Sequence, residues 1–165
     1  MSIAQSMLAE FEQELVTTRR FLARLPADRL EWRPHEKSMT AGQLALHIAE
    51  VPEGVLRLAL PDQSPVPDVT TRQPTNLDVV LEALDRSADF VRRTLPGIDD
   101  ARMEATFAIV HDGQTLMSLP RAAFLRSIML NHWYHHRGQL GVYLRLLGAA
   151  VPSSYGPSAD EQAPS

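Results

Sequence analysis

The chain has 165 residues, 44% of them hydrophobic and 22% charged, the size and make-up of one ordinary soluble domain with its own core. A net charge of −4 without any run of Lys or Arg excludes the electrostatic footprint of a nucleic-acid binder. With no Cys, the chain has no disulfide, no Cys nucleophile and no thiolate ligand, so any metal must be held through nitrogen and oxygen.

The opening "MSIAQSMLAEFEQELVTTRR" turns acidic at Glu10 and has no uninterrupted apolar core, so it reads neither as a signal peptide nor as a membrane span. No membrane partner and a cytoplasmic location are the expectations. From Ser2 to Arg24 the residues Ile3, Met7, Leu8, Phe11, Leu15, Thr18 and Leu22 recur every three or four positions, which predicts an amphipathic helix. "LPADRLEWRP" ends it. A second helix is expected from Thr40, whose hydroxyl can form a capping box with Gln43, and Leu44, His47, Val51, Val55 and Leu58 share one of its faces. Pro52 lies inside it and removes one amide donor, which predicts a kink rather than an end.

"PDQSPVPDVTTRQP", residues 61–74, has four prolines and little periodicity, and is expected to be a long connection, either an ordered surface crossover or a flexible loop. A third helix follows from Asn76 to Thr94. Between Ala101 and Leu119, "ATFAIV" and "TLMSL" flank Asp112-Gly113, the signal of a short hairpin or extended segment. Ser118 is then expected to cap a fourth helix, with Pro120 in its first turn and Gly148 stopping it. Four amphipathic helices with one long middle connection predict an all-α four-helix bundle over residues 1–150, followed by a polar tail over 151–165.

The chemistry gathers in "LNHWYHHRGQL", which holds three of the six histidines. On an ideal helix His132 and His136 share a face with Leu125, Ile128, Met129, Gln139, Leu140, Tyr143, Leu146 and Leu147, and His47 shares one with Leu44, Val51 and Leu58. Three inward imidazoles on two helices are a liability, because a buried ring must satisfy both nitrogens or lose roughly 1–3 kcal/mol for each one left unpaired. A divalent cation resolves the acceptor side of all three and leaves positions open for water or substrate. The other reading is a bundle without catalysis, its histidines serving core hydrogen bonds or a structural metal and its surface mediating protein association.

"LALHIAEV", "LNHWYHHRGQLGVYLRLLG" and "YGPSADE" together resemble the DinB superfamily, over nearly the whole chain. That resemblance implies a four-helix bundle with His47, His132 and His136 as metal ligands. It also implies a kinship with thiol-dependent S-transferases and isomerases that use bacillithiol, mycothiol or glutathione, and a homodimer; with an ion that activates a thiol or water, the expectation is a metal-dependent S-transferase or hydrolase acting on a small molecule. Zn, Ni and Fe all suit three histidines with water. Neighbours are given weaker roles. His135, about 60° from His132 around the helix, and Gln139 and Tyr143 are candidates to support the ligands or border the pocket. Arg137 points away and is expected to pair with a carboxylate on a loop or another subunit. Gly138 suggests a close approach of another element. His111, Glu50, His35 and Trp32 reach a site only if loops carry them there. No HExxH, GxSxG, phosphate loop or paired-carboxylate arrangement is present.

Overall fold

Ser2 caps the first helix, α1 (Ile3–Ala23), by accepting from the Gln5 amide at 3.1 Å while Gln5 Oε1 accepts from the Ser2 amide at 2.9 Å. Ala4, Met7, Phe11, Leu15, Thr18 and Leu22 form its buried stripe. The expected capping box of Thr40 and Gln43 starts α2 (Ala41–Leu58). A computed structural model supplies this description, which covers residues 1–162.

Pro52 does not end α2. It cannot donate to the Ile48 carbonyl, and that oxygen accepts instead from the Trp133 indole at 2.8 Å. The Glu53 amide donates to Ser87 Oγ at 2.9 Å, so backbone groups on both sides of the proline are engaged by other helices. Asn76 caps α3 (Leu77–Thr94), and a short α4 (Asp100–Glu104) follows.

The crossover contains a strand that its prolines conceal. Within it, β1 (Gln63–Pro65) pairs in parallel with β2 (Thr106–His111), which pairs antiparallel with β3 (Gln114–Pro120) around the expected turn at Asp112-Gly113. The fold is therefore mostly helical with a three-stranded mixed sheet, not all-α. Ser118 is not a helix cap: it lies in β3 opposite Ala108, because the ladder runs on to the Thr106–Pro120 pair. The Arg121 amide then donates to the Ala105 carbonyl, and α5 (Arg121–Phe124) begins with no side-chain cap.

From α5 the chain passes through a π-helical run, Leu125–Asn131, into α6 (His132–Leu146), which Gly148 ends at a φ of 74° as expected. α1 and α2 each pack against both α3 and α6. The fully buried Arg121 clasps this end of the fold. It donates to the carbonyls of Ala59, Pro61 and Arg102 and to Asp62 Oδ1, joining the exit of α2 to α4.

The segment beyond Val151 forms no helix among its described residues, yet it is docked rather than loose. Ser153 is buried, Asp160 pairs with Arg145, and Glu161 accepts from the Ser153 amide and from Arg20 and Arg24. Residues 163–165 of the expected tail lie outside the described residues.

Candidate metal centre

α2 contributes His47 and the start of α6 contributes His132 and His136, and one ring nitrogen from each lies within 4.8 Å of the others. The rings meet edge to face, with centroids 4.3–5.4 Å apart. One bond across the helix interface fixes this meeting. Trp133 follows His132 and Ile48 follows His47, so the indole-to-carbonyl bond ties the immediate neighbours of two of the histidines.

The buried residues of α6 are Trp133, Arg137, Leu140, Tyr143 and Leu144; Leu140 and Tyr143 lie on the face drawn through His132, and Trp133, Arg137 and Leu144 shift the stripe about one residue from it. The histidines consequently stand half-buried at the edge of the core, where α6 leaves it, and Leu146 is 60% exposed rather than inward. Arg137 explains the shift. Instead of pointing away, it is 2% exposed, 2.5 Å from Glu14 Oε2 of α1, within 3.2 Å of Thr18 Oγ1, and framed by the rings of Tyr134 and Tyr155. Its carboxylate partner belongs to a helix of the same chain, not to a loop or another subunit.

His136 Nδ1 lies 2.9 Å from Gln139 Oε1, an oxygen that can only accept, so this nitrogen carries the proton and Nε2 presents a lone pair. That lone pair faces His132 Nε2 at 2.8 Å. His132 Nδ1 is buried without a well-formed hydrogen bond, although the Ile128 carbonyl is near enough to favour its protonation. His132 can therefore meet the His136 lone pair with an Nε2–H donated to it or, with the proton on Nδ1, with a second lone pair that an ion between the two would satisfy. Two nitrogens bound to one ion at about 2.1 Å lie about 3 Å apart at a right angle and about 3.4 Å apart at the tetrahedral angle, so the 2.8 Å separation is close to the first and short of the second.

The electrostatics agree. Burial, and then the neighbouring His136 and His132, push the His47 pKa down to about 4. Burial also lowers His132 and His136. All three are neutral near pH 7 and need not shed a proton to act as ligands. A cleft of about 260 Å³ opens beside them, lined by His47, Glu50, Val51, Gly54, Val55 and Leu58 of α2, Pro67 to Thr71 of the crossover, and Ile128 and His132.

The other candidates divide. Gln139 touches a triad member directly, and His135 is exposed with its ring 4.9 Å from that of His136. Tyr143 lies elsewhere: its hydroxyl donates to the Met39 carbonyl at 3.2 Å and its ring meets Trp32 edge-on. Glu50 lines the cleft and pairs with Arg72 at 3.2 Å. His111 stays on the exposed hairpin turn beside Asp112, and His35 accepts from the Lys37 amide in its own loop. Gly138 meets no close neighbour; the tight glycine of α6 is Gly141, where an added Cβ would come within 3.2 Å of Phe21. The sequence reading missed Trp133, although Pro52 had freed an acceptor for it, and missed the part of the crossover that walls the cleft.

Fold and site define a mostly helical domain with a three-histidine cluster held between two helices. The DinB family model matches residues 1–164, and the chain belongs to that family. It is 26% identical over 158 residues to the uncharacterized protein YrdA of Bacillus subtilis (strain 168), covering 94% of this chain and 90% of that one. A DinB-like protein from Bacillus cereus ATCC 10987 superposes with a TM-score of 0.71 at 24% identity, over 92% of this chain and 97% of the other. The DinB-like YjoA of B. subtilis gives 0.71 at 20% identity, over 96% and 99%. At these identities the two structures speak for the fold.

Proposed function

We propose that His47, His132 and His136 hold one divalent ion (Zn, Ni or Fe) and that the protein is a metal-dependent enzyme of the thiol S-transferase or hydrolase type, acting on a small molecule. One observation carries the reading: a ring nitrogen from each of His47, His132 and His136 converges within 4.8 Å of the others, the Nε2 atoms of His132 and His136 lying 2.8 Å apart. Bound there, an ion would supply Lewis-acid activation of a thiol or water near neutral pH. Three nitrogen ligands without a fourth protein ligand among the described residues suit a working site better than a closed structural one. Any thiol must come from a low-molecular-weight cofactor or the substrate, since the chain has none. A four-helix bundle arrangement, a homodimer and a cytoplasmic setting complete the proposal.

The chain's own residues do the positioning. Gln139 orients the His136 ring, the Trp133 bond to Ile48 holds the two ligand helices in register, and the cleft admits a molecule on the open side. Metal analysis of protein purified without added metal tests the reading. About one ion per chain is expected, lost in His132→Ala. Metal-free protein together with an unchanged thermal transition in that variant overturns it.

A further inference from the structure

Gly54 stands in the interior of α2 without a packing reason. It is exposed, its φ is not in the left-handed region, and a Cβ there would meet nothing within 4 Å. A glycine in mid-helix gives up about 1 kcal/mol relative to Ala. What the missing side chain does provide is space, because Gly54 lines the cleft beside the triad. His47, Val51, Gly54, Val55 and Leu58 follow the i, i+4, i+7, i+8, i+11 spacing of a single helical face, so the cleft is a trough running along about 16 Å of α2 from the triad outward. Ile128 walls it on the far side. A Leu or Phe in place of Gly54 would fill its middle.

We infer that this trough is a specificity pocket for a small ligand whose polar head reaches the triad and whose unbranched apolar tail lies along α2, with Gly54 as the residue that admits the tail. The inference rests on the metal reading above and names the substrate class of that site. Its volume of about 260 Å³ falls below the range of pockets for drug-sized molecules, so the tail is short and single. Along α2 the tail would meet the aliphatic Val51, Val55 and Leu58, while Glu50 and, from the crossover, Asp68, Thr70 and Thr71 also line the cleft.

The experiment titrates Co²⁺-loaded protein with 1-alkylimidazoles from methyl to octyl, neutral probes with one nitrogen donor, and follows the visible spectrum of the bound Co²⁺. Affinity should rise about fourfold per methylene over the first members and then level off, as each CH₂ leaves water. In Gly54→Phe the methyl compound should bind as in the parent while the gain with chain length disappears. Gly54→Ala should bind Co²⁺ equally and melt slightly higher, showing that the position tolerates a side chain. Chain-length independence in the parent protein, with Co²⁺ bound and 1-methylimidazole shifting its spectrum, overturns the trough and leaves the metal reading standing. Failure of Co²⁺ to bind overturns both.

Discussion

Trp133 donates its indole hydrogen to the Ile48 carbonyl across 2.8 Å of core, filling the place that Pro52 leaves empty in α2. A helical carbonyl is normally taken by its own helix, so an acceptor freed by proline is a mark that only one donor on a neighbouring helix can meet. The bond sets the register between the two helices that carry the triad, one residue away from His47 and from His132.

Trp133→Phe should therefore lose about 1–3 kcal/mol by leaving that carbonyl unpaired, measured by urea unfolding. Pro52→Ala should recover much of the loss when combined with it, since the alanine amide can serve Ile48 from within α2. A double-mutant cycle additive to within about 0.3 kcal/mol would sink the coupling.

The metal-free protein should weaken as the pH falls from about 6.5 towards 4. The folded pKa of His47 is depressed from 6.5 to about 4, and those of His132 and His136 are also lowered, so the unfolded chain binds more protons in this window and stability rises with pH. Denaturation midpoints at pH 7, 6 and 5 check this, and His47→Gln should flatten the slope. A midpoint independent of pH over that range contradicts the burial of neutral imidazoles.

Arg121→Met should cost about 3 kcal/mol or more, because it strands three carbonyls around a fully buried site, whereas the exposed Asp62 returns to water. The same unfolding measurement decides it: a loss below about 1 kcal/mol would mean that water or a rearranged backbone replaces the guanidinium.

Glu14→Gln should be more damaging than removal of the whole ion pair. It leaves Arg137 buried without a counter-charge at about 3–5 kcal/mol, whereas Glu14→Leu combined with Arg137→Met should lie much nearer the parent. Equal losses in the single and double variants would contradict this, as read by thermal and urea unfolding.

The long helices were legible because their apolar spacing and capping residues are local, as Thr40 with Gln43 and Gly148 show. The three histidines were legible for the same reason, each lying on a regular helical face. The strand Gln63–Pro65 was not, since its partner Ala108–Val110 is more than forty residues on and its own segment is rich in proline. Arg137 misled the face assignment because a charged residue reads as solvent until Glu14 of another helix is seen beside it. Tyr143 and Gln139 looked alike in spacing, yet only tertiary structure separates the one that holds a loop from the one that touches His136.

The π-helical run before His132 makes the ligand geometry depend on chain length as well as on residue identity. The His132 amide donates to Ser127, five residues back, so the run carries a residue more than an α-helix would need to close the same turn. Excising one residue between Leu125 and Asn131 would let it close as an ordinary helix with the residues before and after still in phase, whereas one residue more, if taken up as regular helix, would turn them about 100° apart. The histidine pair would be swung off His47, or the hairpin off its clasp, by an insertion that alters none of the residues involved.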